Sequence, residues 1–313
     1  MLDCAIIGGG PAGLTAGLYT TRGGLANVTM FEMGMPGGQI TGSSEIENYP
    51  GVTGEITGMD LMMPWPEQCQ RFGLKHDMSE IKKVTHNEDG TFTVHKGNGD
   101  TVDALSVIIA TGSTPKRAGF KGEDEFFGRG VSTCATCDGF FYKGKEVAVI
   151  GGGDTAMEEA VYLSNICSKV YLVHRRDTFR AAPNTIQRVM DTENIELVLN
   201  ASINEVYGDN MGVTGLSVQL PDGERKLEVP GVFTFVGMNV NNGVLKNEDG
   251  TFICDVNDAG EVIVDLRMKT STPGLYAAGD IRIEAPKQVV VAAGDGATAG
   301  VNVIHYVDSV KNK

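Results

Sequence analysis

An apolar run that stops abruptly in glycines and restarts as a helix suits one kind of fold above others: parallel strands joined by crossover helices. This chain contains that run twice. Residues 2–7 stop at Gly8-Gly9-Gly10-Pro11-Ala12-Gly13, a helical pattern follows through Leu14, Ala16, Leu18 and Tyr19, and residues 27–32 read as a second strand ending in an acid. That is strand, glycine turn, helix and strand in about 30 residues, a βαβ unit. The same grammar returns at residues 146–150, at the turn Gly151-Gly152-Gly153-Asp154-Thr155-Ala156, at a helix start over 157–163, and at a strand over 169–174 that runs into Arg175-Arg176. The expected fold class is α/β, with two Rossmann-like dinucleotide-binding domains, the second inserted into the first.

The domain boundaries follow from two further strand-to-glycine turns. Residues 105–110 run into Thr111-Gly112-Ser113, and residues 232–236 run into Gly237. Each is followed by a polar stretch, 113–117 and 238–242, and these are the candidate linkers. The expected division is 1–113 and 240–313 together, with 114–239 inserted. Strand-like patterns resume at 260–264 and at 274–278, which leads into Gly279-Asp280, before the Ala-, Gly- and Val-rich stretch 288–304.

Composition narrows the function classes. The 313 residues suit two domains of about 100–200 residues each. The 42 glycines are nearly twice the usual share of about 7%, as expected where backbone must turn sharply or touch a ligand. A net charge of −14 argues against non-specific binding to nucleic acid or anionic lipid. No apolar run approaches the roughly 18–20 residues of a membrane helix, and with Asp3 and the glycine triplet arriving before any basic region or apolar signal stretch, no secretory leader is expected. Six cysteines are too few for a disulfide scaffold, so a reducing cytoplasm is the expected location.

The first glycine turn satisfies G-x-G-x-x-G. Gly8 permits the tight turn, Gly10 lets backbone approach a pyrophosphate at a helix N-terminus, and Gly13 lets helix and strand pack closely. Glu32, nineteen residues beyond Gly13, stands where an acid bonds a ribose 2′-hydroxyl and repels a 2′-phosphate. An adenine dinucleotide without a 2′-phosphate is the expected ligand. The second turn keeps Gly151, Gly153 and Ala156, but its strand ends in His174-Arg175-Arg176, with Arg180 close behind. Three arginines in place of one glutamate point to a 2′-phosphate, hence NADPH; the alternative is a solvated basic cluster. Two sites of opposite preference suggest a flavoprotein fed by NADPH.

Cys134-Ala135-Thr136-Cys137-Asp138 carries the remaining chemistry. Zinc needs about four ligands, and Cys4, Cys69, Cys167 and Cys254 are isolated residues expected to be buried small hydrophobes. As a staple, so short a ring stabilises by only about 2 kcal/mol. A redox dithiol remains. Attack on a disulfide requires thiolate, and lowering a thiol pKa from about 8.5 toward 7 takes roughly 2 kcal/mol. Asp138 is the candidate acid/base, with a plain turn role before Gly139 as its alternative. The lone Trp65 reads as packing at a helix start, and the amides at 239–242 support no role.

Taken in order, Gly8 to Gly13, Pro36-Gly37-Gly38-Gln39, Glu47-Asn48-Tyr49-Pro50-Gly51, Ala110-Thr111-Gly112, and segments 134–139, 151–160 and 174–181 form a consistent series. With Gly279-Asp280 and Gln288, this series resembles the bacterial-type, low-molecular-weight thioredoxin reductases. The likeness runs from about residue 3 to 305; the turn Met33-Gly34-Met35-Pro36 departs from it without consequence. The resemblance implies a homodimeric FAD protein whose partner is thioredoxin. Its flavin segments would be Glu32 to Gln39, Asn48, Thr111-Gly112, and Asp280 to Val289, including Lys287. Its NADPH segments would be Gly152, Gly153, Asp154 and Thr155 with Arg175, Arg176 and Arg180. The outer domain would then bind FAD, and the inserted domain NADPH beside the redox-active pair. Cys137 would be the flavin-proximal sulfur, Cys134 the one that attacks thioredoxin, and Asp138 the proton donor. Because both dithiol and nicotinamide must reach the flavin, the inserted domain is expected to rotate about the paired linkers. Phe140-Phe141-Tyr142 with Arg129 would be partner surface, or else core.

Overall fold

The computed structural model describes residues 1–43, 46, 48–54 and 56–312. Glu47 of the motif quoted above lies outside the described residues. The chain divides into two compact units: an outer one, Met1–Thr114 with Val240–Lys313, and an inserted one, Pro115–Asn239.

The outer unit is built on a five-stranded parallel sheet in the order Leu275–Ala277, Val107–Ile109, Cys4–Ile7, Val28–Phe31, Lys75–Asp77. Strand side chains alternate between faces, and the core obeys that period. Cys4, Ile6, Met30, Ile108 and Tyr276 pack with Leu14, Ala16, Ala299 and Val303 of the helices Pro11–Arg22 and Val289–Lys311. Ala5, Ile7, Phe31, Val107 and Ile109 face the other way, onto Val84, Phe92 and Val94 of a three-stranded antiparallel sheet. The two helices approach closely because small residues line their seam: a Cβ at Gly296 would run into the carbonyl of Ala12, and one at Gly300 would come within 3.0 Å of the Tyr19 side chain.

The inserted unit repeats the plan. Its parallel sheet has the order Ile195–Val198, Lys169–Val173, Glu146–Ile150, Gly231–Thr234, Val131–Ser132. Val147, Val149, Leu172 and Phe233 meet Ala156, Ala160 and Leu163 of the helix Asp154–Ser164. Ala148, Ile150, Tyr171 and Val173 meet Val206, Leu216 and Val218 of a second antiparallel sheet. Neither antiparallel layer was legible as such from the sequence.

Three readings are refined. Residues 260–264 form no strand, only isolated bridges through Val262, because the Asn257 side chain takes the backbone N–H groups of Ala259 and Glu261 into a turn. The linkers are not unstructured: Ser113–Pro115 and Met238–Val240 pair as a two-stranded ribbon. The stretch 288–304 is most of one 23-residue helix, Val289–Lys311. Among the described residues no helix is long and apolar enough to cross a membrane.

The two ends of the chain are tied together in the outer unit. Asp3, buried, accepts the backbone N–H groups of Ala26 and Asn27 at 3.2 Å each and pairs with Lys311 Nζ at 2.6 Å. Removing the carboxylate leaves two backbone donors without their acceptor, which costs about 1–3 kcal/mol. Asp3→Ala is therefore expected to lower the urea midpoint at unchanged slope, and an unchanged midpoint would show that the clamp contributes nothing.

Candidate functional site

In the outer unit the residues singled out by sequence gather at the carboxyl ends of the parallel strands, the usual ligand position of such sheets. Gly8, at φ +106°, has no room for a side chain, since its Cβ would meet the carbonyl of Ala110. The helix Pro11–Arg22 opens with Gly10 as its N-cap, which has no side chain to offer the first amides, and it carries no acid in its first turn. At Gly10 the nearest atom to an added Cβ is the Cα of Gly38, at 3.7 Å. At Gly112 nothing lies within 4 Å. These glycines leave a cradle that a Cβ would fill, which fits a closely approaching phosphate.

Glu32 sits over this turn, accepting the N–H of Gly9 at 2.9 Å through Oε2 and that of Gly34 at 3.2 Å through Oε1. A carboxylate has about four acceptor positions, so capacity remains for a ribose hydroxyl. Gly37 N donates to the Gly9 carbonyl at 2.8 Å, and the Gln39 amide donates to the Ser113 carbonyl at 2.5 Å. Asn48 donates to the Gln288 side chain at 3.1 Å. Gly279 lies between Ala12 and Ala292, so the N-terminal turns of both helices meet there. Lys287 has left-handed backbone, φ +55°. Burial pushes the Asp280 carboxyl up, an effect the charges of Lys287 and Arg282 oppose. Sequence reasoning missed Asn241, whose backbone and side chain bond Gly112 and Thr111 at 3.0 and 2.9 Å.

The inserted unit assembles its second turn in the same way. Gly151 N bonds the Val173 carbonyl at 3.1 Å, and a Cβ at Gly152 would overlap the His174 ring. A Cβ at Gly153, the N-cap of Asp154–Ser164, would meet nothing within 4 Å. The arginine-bearing loop folds back onto this turn: Arg180 N donates to the Gly152 carbonyl at 2.9 Å, and Ala182 N to Asp154 Oδ1 at 2.7 Å. His174 stacks on Phe179 and bonds the Thr178 carbonyl at 3.1 Å. Burial, with the charges of Arg175, Arg176 and Arg180 adding to it, lowers the His174 pKa. Among the described residues none of these three exposed arginines is paired with a carboxylate. On a chain of charge −14, three unpaired guanidinium groups at one strand end fit a phosphate.

Cys134 and Cys137 form a disulfide, with S–S 2.04 Å and Cα–Cα 5.3 Å, and both are half-exposed. Cys134 is the N-cap of the short helix Ala135–Asp138. Cys4, Cys69, Cys167 and Cys254 are buried thiols, and burial pushes Cys4 up to about 12 and Cys69 up to about 11. Such thiols are poor nucleophiles. Ser132, absent from the sequence-based list, receives the Cys134 N–H at 3.0 Å. Burial raises the Asp138 pKa, and a hydrogen bond from Ser132 works against that rise. The aromatic run divides: Tyr142 packs edge-on to Phe233 at 5.4 Å, whereas Phe140 is 57% exposed.

The raised pKa gives Asp138 a testable signature. Its folded-state pKa lies above the unfolded value, so the fold gains from its proton below the unfolded pKa and loses that gain as pH rises through the folded one. Asp138→Asn is expected to raise the unfolding temperature at pH 8 and leave it unchanged at pH 3. Equal effects at both pH values would mean that the carboxyl is not destabilised by its surroundings.

A family model for pyridine nucleotide-disulphide oxidoreductases matches residues 2–296. The chain is 59% identical over 310 residues to the thioredoxin reductase of Helicobacter pylori (strain J99 / ATCC 700824), spanning 98% of this chain and 99% of that protein. It is 42% identical over 316 residues to the thioredoxin reductase of Escherichia coli O157:H7, spanning 97% and 96%. The crystal structure of thioredoxin reductase from Streptococcus pyogenes MGAS5005 superposes with a TM-score of 0.90 at 37% identity, covering 99% of each chain. Nearly end-to-end matches of this strength, on a scaffold with two glycine turns and a half-exposed disulfide, place the chain in the pyridine nucleotide-disulphide oxidoreductase family, among the thioredoxin reductases.

Proposed function

We propose that the chain takes electrons from NADPH, through FAD held in the outer unit, to the Cys134–Cys137 disulfide, and from the resulting dithiol to the disulfide of a thioredoxin. Its family makes it an oxidoreductase that uses flavin and pyridine nucleotide with a disulfide redox centre. The observation that carries the finer reading is the composition of the inserted unit. A half-exposed CxxC disulfide lies in the same compact body as a glycine turn flanked by three arginines that pair with no carboxylate among the described residues.

The outer unit would hold FAD with the turn Gly8 to Gly13, Glu32, Gly37 to Gln39, Asn48, Thr111-Gly112, and Asp280 to Val289. Bound flavin supplies a two-electron relay between a nicotinamide and a disulfide. NADPH would be held by Gly151 to Ala156, His174 and the three arginines. The reduced Cys134 thiolate attacks one sulfur of the partner disulfide, forming a mixed disulfide and releasing the partner's other sulfur as thiolate. Asp138, kept protonated to higher pH than an ordinary carboxyl, donates its proton to that leaving sulfur. Cys137 then attacks Cys134 Sγ, releasing the second partner sulfur and re-forming the Cys134–Cys137 bond. The balance is NADPH, a proton and a disulfide converted to NADP⁺ and a dithiol.

A rotation of the inserted unit belongs to this reading. Its support is that each unit closes its own chain crossover, Thr111 with Asn241 in one and Lys116 N to the Gly237 carbonyl at 3.0 Å in the other. A homodimer and a cytoplasmic location are further proposals resting on the family likeness, and light scattering and cell fractionation test them.

The deciding experiment is anaerobic. Purified protein should carry FAD releasable by heat, NADPH should bleach it, and oxidised thioredoxin should restore the colour. Colourless protein, or colour that NADPH leaves intact, would instead favour a nucleotide-binding module without reductase activity.

A further inference from the structure

The ion pair Arg282–Asp295 is the most deeply buried of those among the described residues, with side chains 15% and 9% exposed. Arg282 Nε donates to Asp295 Oδ2 at 2.7 Å and Nη2 to Oδ1 at 3.1 Å, a two-pronged fork, while Nη1 donates to the Ile283 carbonyl at 2.9 Å. Asp295 Oδ2 also accepts the backbone N–H of Gly279 at 3.2 Å. One carboxylate, rooted in the helix Val289–Lys311, thus holds the chain immediately before Asp280 and again two residues after it.

The surroundings leave that stretch little slack. Gly279 has φ +79°, and a Cβ there would stand 3.0 Å from that of Ala12 and 3.5 Å from that of Ala292. A buried ion pair is a poor source of stability, since an apolar pair of similar volume often does as well or better. What the fork supplies instead is geometry, because its two parallel bonds fix direction as well as distance. Charges alternate along this strip: Lys287, Asp280, Arg282 and Asp295. Burial raises the Asp280 carboxyl pKa; Lys287 and Arg282 work against that rise, and Asp295 adds to it.

We infer that Arg282 and Asp295 are positioning residues for the flavin, locking Asp280 in the place from which it meets the cofactor. This rests on the reading that the outer unit holds FAD. Neither residue touches the glycine turn through its own side chain in the contacts described; both act through the loop that carries Asp280.

The test titrates apoprotein with FAD, following quenching of flavin fluorescence, at a temperature where circular dichroism shows each apoprotein folded. Two variants are compared with the unaltered chain: Asp295→Asn, and the double variant Arg282→Met with Asp295→Leu, which leaves no buried charge unpaired. Both should weaken FAD binding by about ten- to a hundredfold, the range that losing a charge-assisted hydrogen bond corresponds to. The visible bands of their bound flavin should shift toward those of free FAD. The double variant should nevertheless unfold, as apoprotein, close to the original temperature. Unaltered affinity and spectrum in the folded double variant would overturn the inference and leave the pair as packing only. Should that variant not fold, Asp295→Asn decides by the same two readouts. An unaltered apoprotein that takes up no FAD would instead count against the flavin reading itself.

Discussion

Replacing Arg175 and Arg176 together with alanine is expected to raise the KM for NADPH by about a hundredfold or more while hardly moving that for NADH. A charged hydrogen bond contributes about 1.5–3 kcal/mol, so each arginine that meets the 2′-phosphate is worth roughly 10–150-fold in selectivity. The geometry makes the effect separable from folding. Both side chains are exposed and, among the described residues, not paired with a carboxylate, and the loop is held by bonds from Arg180 N to the Gly152 carbonyl and from Ala182 N to the Asp154 side chain. Alanine at 175 and 176 leaves those bonds in place. Steady-state kinetics with both nucleotides measures the outcome, and equal losses for NADPH and NADH would mean that the arginines serve something other than the phosphate.

Serine at either cysteine should abolish turnover with thioredoxin, down to the uncatalysed background, because exchange needs both sulfurs. The two variants should differ in everything short of turnover. If Cys137 is the flavin-proximal sulfur, Cys134→Ser retains a thiolate against the ring and should show a long-wavelength absorption band at neutral pH. Cys137→Ser should lack that band yet still trap a mixed disulfide with a thioredoxin deprived of its resolving cysteine. Gel analysis and visible spectra settle the matter together. Identical spectra for the two would sink the assignment of roles.

Local signals were the readable ones. The glycine turns, Glu32, the arginine trio and the CxxC pair are each marked within one strand–turn–helix–strand stretch or a few neighbouring positions, so they can be proposed for a site before any fold is known. The antiparallel layers are different. Their strands, such as Ile81–His86 and Gly223–Leu227, carry Lys82-Lys83 and Arg225-Lys226 and bury little along their length. What holds them is the face of a parallel sheet whose strands come from widely separated stretches of the chain, and no single window along the sequence contains that whole face. Asn241 and Ser132 were missed for a related reason, since an amide or hydroxyl gains meaning only from the backbone group that folding brings to it. Arg282 and Asp295 are thirteen residues apart and become a pair only once a loop folds back onto a helix. The aromatic run 140–142 could not be divided in advance, because burial of Tyr142 depends on Phe233.

The strand order of the outer sheet also sets a schedule for making the protein. Val107–Ile109 lies between Cys4–Ile7 and Leu275–Ala277, so one of its two neighbours is translated only after the whole inserted unit. At about 5–20 residues per second, the ribosome needs on the order of ten to thirty seconds to cover that interval. For that time the nascent chain carries an apolar strand with one side unpaired, the kind of edge that recruits other chains. The inserted unit, continuous in sequence, can fold meanwhile and bring its two ends together, shortening the search that the last strand must make. Synthesis therefore favours the order inserted unit first and outer sheet last, and a cell that slows translation just beyond residue 239 would lengthen the exposure of that edge.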